Sequence, residues 1–186
     1  MDELGKVLLA LARQTISEAL GEATTDPAHV AVDLPALHKN AASFVTLTQA
    51  GELRGCIGSL EAHRPLIDDV RANARAAAFR DPRFPPLTGD ELARTRVEVS
   101  LLAPAESLFV ADEADALARL RPHVDGLILS AGGRRATFLP QVWEQLPEPA
   151  VFLARLKQKA GLPADYWSPE LRLWRYTVRK WQEKPR

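Results

Sequence analysis

Apolar residues recur at three- and four-residue spacing near the start of the chain: Leu4, Val7, Leu8, Leu11, Thr15, Ile16, Ala19 and Leu20. That spacing predicts an amphipathic helix over residues 2–20, capped by Asp2 and closed at Gly21. From Glu22 to Asn40 no period holds. Asp26-Pro27 and Leu34-Pro35 favour extended or turn backbone, and this segment, with His29 and His38, reads as a surface connector. Two apolar runs follow, Phe44–Thr48 and Leu53–Ile57, split by Gln49-Ala50-Gly51-Glu52. They predict a β-hairpin. Pro65 suits the first turn of a helix reaching about Phe79, with Leu66, Val70, Asn73, Ala74 and Ala77 inward. Ala76-Ala77-Ala78 would let another element pack closely. Asp81-Pro82-Arg83-Phe84-Pro85-Pro86 ends that helix in a stiff loop. Thr88 and Glu91 stand at capping-box spacing for a short helix to Arg94. Val97, Val99 and Leu101 then alternate with Glu98 and Ser100 as in a half-buried strand.

The second half repeats this order. Leu127–Ser130 and Arg135–Leu139 are strand-like runs split by Gly132-Gly133. Pro147 and Pro149 precede a helix over residues 150–160 that stops at Gly161. Leu171–Val178 reads as a last strand, with Trp174, Tyr176 and Val178 on one side. The turn glycines Gly51 and Gly133 are separated by the same interval as the prolines Pro65 and Pro147. The expectation is an α+β fold in which a β-β-α-β unit is duplicated. The first unit spans about 42–103 and the second about 124–180, both within a single domain of residues 1–186. Neither unit is large enough to complete a core alone, so two sheet-containing lobes with a groove between them are expected.

Composition narrows the function. The chain has 186 residues, 46% of them hydrophobic and 26% charged, which is ordinary for a globular protein. Lys and Arg together number 24, as do Asp and Glu. This balance argues against non-specific nucleic-acid binding as the main task. One cysteine excludes an internal disulfide and leaves no cysteine cluster for zinc. No signal-peptide pattern and no membrane-length apolar run is present, so the expected compartment is the cytoplasm and no membrane partner is expected.

The chemistry concentrates around Arg54-Gly55-Cys56-Ile57-Gly58. Glycines inside a strand mark a bulge or a place where a backbone or ligand comes close. Cys56 is a candidate nucleophile, because Arg54 or a nearby lysine would favour its thiolate. The competing reading is a small apolar filler. Glu98 and Ser100 share one strand face, where Glu98 is a candidate acid/base or a partner for Arg54 or Arg83; a solvent-facing polar side is the alternative. Asp81 and Arg83 form either an anion-binding fork or a turn stapled by their own contact. Thr137 and Gln141 hold the place in the second unit that corresponds to residues 55–59. Lys157 and Lys159 suit a helix C-terminus, while Trp143 and Trp167 are expected either to stack on a base or ring or to fill gaps between the lobes. His63, beside a helix start, reads as a cap or surface residue. The ligands for a metal are too scattered to assemble a site, and no cofactor motif is present.

The strings Phe44-Val45-Thr46-Leu47, Leu53-Arg54-Gly55-Cys56-Ile57-Gly58, Asp81-Pro82-Arg83-Phe84, Glu98-Val99-Ser100, Thr137–Trp143 and Lys159-Ala160-Gly161-Leu162 together resemble the AMMECR domain family. Ala42 departs from the glycine that pattern leads one to expect. The resemblance implies an α+β fold of two sheet-containing lobes flanking a groove. It also implies the company of a Memo-type protein and a radical S-adenosylmethionine protein, as in an AmmeMemoRadiSam system, without implying a reaction. Three readings remain open. One is a groove binding a small anionic ligand or peptide, with Cys56 and Glu98 catalytic and Arg54, Gly55, Gly58, Asp81, Arg83, Ser100, Thr137 and Gln141 binding. Another is a non-catalytic module docking a partner protein. The third is nucleic-acid binding through Arg172, Arg175, Arg179 and Lys180.

Overall fold

The computed structural model describes residues 1–22 and 34–184; the expected connector at Asp26-Pro27 and His29 lies outside them. The chain forms two compact units, residues 1–102 with 179–186, and residues 103–178. Each carries a four-stranded sheet.

In the first unit, α1 (Glu3–Ala19) starts at Asp2, whose side chain accepts the Gly5 N–H at 3.0 Å. The strands β1 (Ala42–Gln49) and β2 (Glu52–Gly58) form the expected hairpin. Its two-residue turn has positive φ at both Ala50 and Gly51, the twist that suits right-handed strands. Then come α2 (Leu66–Phe79), α3 (Gly89–Leu92) and β3 (Thr95–Leu102). The Thr88–Glu91 capping box forms as its spacing foretells. Val45 and Leu47 on β1 and Val97 and Val99 on β3 turn one sheet face onto Leu8, Leu11, Ile16 and Val70 of the two long helices.

The second unit opens with two elements that carry little sequence signal, β4 (Glu106–Ser107) and α4 (Glu113–Arg119). The hairpin β5 (Gly126–Ala131) and β6 (Arg134–Phe138) follows, again with positive φ at both turn residues, Gly132 and Gly133. A 3₁₀ turn at Pro140–Glu144, α5 (Pro149–Lys159) and β7 (Arg172–Tyr176) complete it. The core holds Trp143 stacked on Phe152, ring centroids 3.7 Å apart.

The last strand differs from expectation. The run Leu171–Val178 does not form one strand: β7 ends at Tyr176, and β8 (Val178–Gln182) joins the other sheet. The strand orders are β2-β1-β3-β8 and β4-β7-β5-β6. Hairpin, helix and a third strand beside the first therefore occur twice. The fourth strand of each sheet is the chain's continuation from the third strand of the other, β4 after β3 and β8 after β7.

Candidate functional site

The first hairpin leaves β2 at the edge of its sheet. Leu47 faces Gly55 while Thr48 faces Leu53, so Arg54 is the extra residue of a β-bulge. The bulge aims Arg54 at Glu91, with Nε and Nη2 donating to the carboxylate at 2.9 and 3.0 Å. That pairing, first of all, draws the Glu91 carboxyl down to about 2. The two glycines have packing reasons. A Cβ on Gly55 would lie 2.2 Å from the Ala77 carbonyl oxygen of α2, and one on Gly58 would lie 2.2 Å from the Phe44 ring. Both make room for other parts of this chain.

An edge strand exposes unpaired backbone groups. At Cys56 they are taken. Its N–H donates to Asp81 Oδ2 at 2.8 Å, and its C=O accepts from Arg83 Nη2 at 3.3 Å. Arg83 also grips Asp81 with two donors at 2.9 and 2.7 Å. This contact holds the Asp81 carboxyl well below the usual range, helped by the Cys56 and Arg83 N–H groups and opposed by burial. Asp81 is 2% exposed and Arg83 54%. The stiff loop thus acts as an ion-paired clip on the backbone of Cys56, and the fork expected to bind an anion is largely occupied by Asp81.

The Cys56 side chain is half-buried and points away from the helices, because the facing residue Thr46 alternates with the core residues Val45 and Leu47. Thr46 Oγ1 and Cys56 Sγ are hydrogen-bonded at 3.3 Å. Thr46 also faces Glu98 on β3, so Cys56, Thr46 and Glu98 form one row across three strands. Lys180 Nζ on β8 lies 4.0 Å from Glu98 Oε1 and extends that row. Two strand spacings put Cys56 and Glu98 about 10 Å apart. Glu98 does not touch the thiol, and it holds neither Arg54 nor Arg83, whose partners are Glu91 and Asp81. Ser100 is buried beside this row, opposite Phe44.

Other expected residues sit elsewhere. Thr137 belongs to the second unit, where its hydroxyl donates to Leu127 O at 3.0 Å and meets Tyr176 Oη at 3.2 Å. Burial pushes that tyrosine up to about 12, with the Thr137 contact opposing. Gln141 is exposed in the 3₁₀ turn. Trp143 fills the second core rather than a gap between lobes, and its indole N–H donates to Asp125 O at 2.7 Å. Lys157 is not a surface cation at a helix end. It is fully buried, 2.7 Å from Glu113 and 5.6 Å from the Trp167 ring centroid. Lys159 donates to Thr137 O at 2.9 Å. The four cations expected on one strand lie on β7 and β8, in different sheets. Arg172 donates to Pro169 O, and Arg179 pairs with Asp2 and lies over the Trp181 ring. His63 is exposed, bonded to Glu61 O.

Two features escaped sequence reasoning. The fully buried Asp69 accepts from Ser43 N and Oγ, Ser59 Oγ, Arg64 Nε and Asn73 Nδ2. It ties the start of β1 and the loop after β2 to α2. Phe84 lies between two guanidinium groups, 5.9 Å from Arg54 and 5.5 Å from Arg83. An inward position at Asp69 on the period of α2 was the one available signal.

The family model described as AMMECR1 matches residues 9–181. A protein of Methanothermobacter thermautotrophicus is 41% identical over 182 residues, covering 96% of this chain and 94% of its own. Protein SSO0193 of Saccharolobus solfataricus is 38% identical over 172 residues, 89% of this chain and 75% of its own. The crystal structure of uncharacterized protein PH0010 from Pyrococcus horikoshii superposes with a TM-score of 0.81 at 33% identity, covering 100% of this chain and 94% of that one.

Proposed function

The chain belongs to the AMMECR1 family, and on that premise we propose that its first unit binds a small anionic ligand over the Cys56–Thr46–Glu98 row, with Cys56 as nucleophile. The observation that carries this reading is the setting of Cys56. Its Sγ meets a hydroxyl on the sheet face the helices leave alone, and its backbone is immobilised by a charged clip. A fixed nucleophile beside a cation suits attack on an electrophilic carbonyl. The thiol proton leaves to solvent, the S–C bond forms, and the carbonyl π pair collects on oxygen. Arg83 Nη1, which Asp81 does not use, is the donor for that oxygen. Glu98, about 10 Å from Cys56, acts on the far end of the ligand or through water. Arg54, Gly55, Gly58 and Asp81 set the strand that carries the thiol, and Ser100 lines the next row. The Memo-type and radical S-adenosylmethionine proteins implied by the resemblance are the candidate partners.

The test is the rate of Cys56 alkylation by iodoacetamide across pH, native and in denaturant. The chain has one thiol, so the readout is unambiguous. The expected result is that the native thiol reacts without unfolding, at a rate no lower than that of the denatured chain. Protection until unfolding would overturn the nucleophile. A pull-down with Cys56→Ala that retains partner binding would then place the family fold in docking rather than thiol chemistry.

A further inference from the structure

The helical side of the first unit carries a feature unrelated to the cysteine. Between α1 and α2 lies a cleft of about 340 Å³, which falls within the size range of small-ligand pockets. Leu11 and Ala72 supply its apolar surface. Arg71 and Arg75 supply its cationic surface, one turn apart on the exposed side of α2.

These two arginines differ from others in the chain. Arg13, Arg54, Arg64, Arg83 and Arg121 are each held by a carboxylate. Among the described residues, neither Arg71 nor Arg75 has an ion-pair or hydrogen-bond partner. Like charges four residues apart weaken a helix, and an anion between them removes that repulsion. Guanidinium groups are matched in shape to planar or tetrahedral oxyanions. The acids of the same cleft set a limit on what enters. Glu18 accepts from Gln14 Nε2 at 2.8 Å, and Asp68 stands one turn before Arg71. Both repel a polyanion and tolerate a ligand whose remainder is neutral or cationic.

We propose that this cleft binds a small organic oxyanion, a phosphate monoester or a carboxylate. Arg71 and Arg75 take the oxyanion, and Leu11 and Ala72 take its carbon skeleton. The cleft involves the two helices, whereas the Cys56 row occupies the sheet face turned away from them. The two proposals stand or fall separately.

The experiment is titration calorimetry of the full chain with phenyl phosphate and with benzoate at constant ionic strength. At least one is expected to bind, and the preferred one assigns the phosphate or carboxylate class. In the double variant Arg71→Gln with Arg75→Gln the affinity is expected to fall by about tenfold or more, since each guanidinium supplies charge-assisted bonds. These side chains are exposed, so the variant is expected to keep its fold, with circular dichroism as the check. Arg119→Gln, at an exposed arginine of the second unit, is expected to bind as the parent does. Absence of binding by both probes would overturn the site. So would unchanged affinity in the double variant, or an equal loss in Arg119→Gln.

Discussion

In the first sheet the row across the strands reads Cys56, Thr46, Glu98; in the second, at the same distance from its turn, it reads Thr137, Ile128, Trp174. The backbone plan is shared, including the double positive-φ turn and the third strand beside the first. Each sheet also sets a glycine beneath an aromatic ring, Gly58 under Phe44 and Gly126 under Tyr176. What differs is the cargo. The first row carries a thiol, a hydroxyl and a carboxylate, and its edge strand is bulged and clipped. The second carries a hydroxyl, a methyl-rich side chain and an indole, and its edge has no bulge in its register. One fold unit, used twice, can carry different side chains on the same face, because alternation leaves one sheet face free of core duty.

The largest effects are expected where packing alone is at stake. Trp143→Ala removes the stacked ring of the second core and its bond to Asp125 O. It is expected to cost about 4 kcal/mol in urea unfolding. Gly55→Ala tests the first sheet, where the new Cβ would meet backbone of α2 rather than a movable side chain. The expected cost is about 3 kcal/mol, against a smaller one for Gly126→Ala, whose Cβ meets the Tyr176 ring. Equal costs would mean that α2 gives way easily and that the glycine serves something else.

These residues also show what the sequence made legible. The hairpins, the long helices and the capping box were readable, because each is written in local spacing or turn chemistry. Gly55 and the Ala76–Ala78 run were both readable as places of close approach, yet nothing local says that one packs on the other. The split between β7 and β8 was invisible for the same reason: the run around Thr177 is uniformly β-prone, and only sheet pairing breaks it. β4, with two residues, and α4, with Ala116 as its buried position, are too short to show a period. Asp69 and Lys157 look like surface charges on helices; their burial depends on Arg64, Ser43 and Glu113, chosen by the fold. At the candidate site, alternation put Glu98 and Ser100 on one face, but the row that Glu98 shares with Cys56 required the strand pairing, and the clip by Asp81 and Arg83 required the loop's path.

The clip and its neighbour make the first unit sensitive to acid. Asp81 and Glu91 both have folded values below their unfolded ones, Glu91 at about 2. As pH falls, the unfolded chain therefore takes up protons first. The contribution of the two carboxylates is complete above about 5 and is lost as pH drops from there through the folded values. Urea midpoints are expected to fall between pH 4.5 and 2, and Glu91→Gln is expected to flatten that slope. Asp81→Ala at neutral pH is expected to cost about 2 kcal/mol, since it frees the Cys56 N–H and the exposed Arg83. A parent slope equal to that of Glu91→Gln would remove the Arg54 pair from the account.

The smallest stability effect is the most informative about chemistry. Glu98 and Lys180 are partly exposed and 4.0 Å apart, a geometry worth about 0–1 kcal/mol. Thr46→Val keeps shape and loses one weak bond to sulfur. Glu98→Gln and Thr46→Val are therefore both expected to unfold within about 1 kcal/mol of the parent. Their effect on Cys56 alkylation then cannot be a by-product of instability. Thr46→Val is expected to change the rate directly, because the hydroxyl touches Sγ. Glu98→Gln is expected to change it less, because Thr46 stands between the carboxylate and the thiol. Equal effects from both would mean that the row acts as one connected unit. No effect from either would leave the contrast between the two sheets one of composition alone.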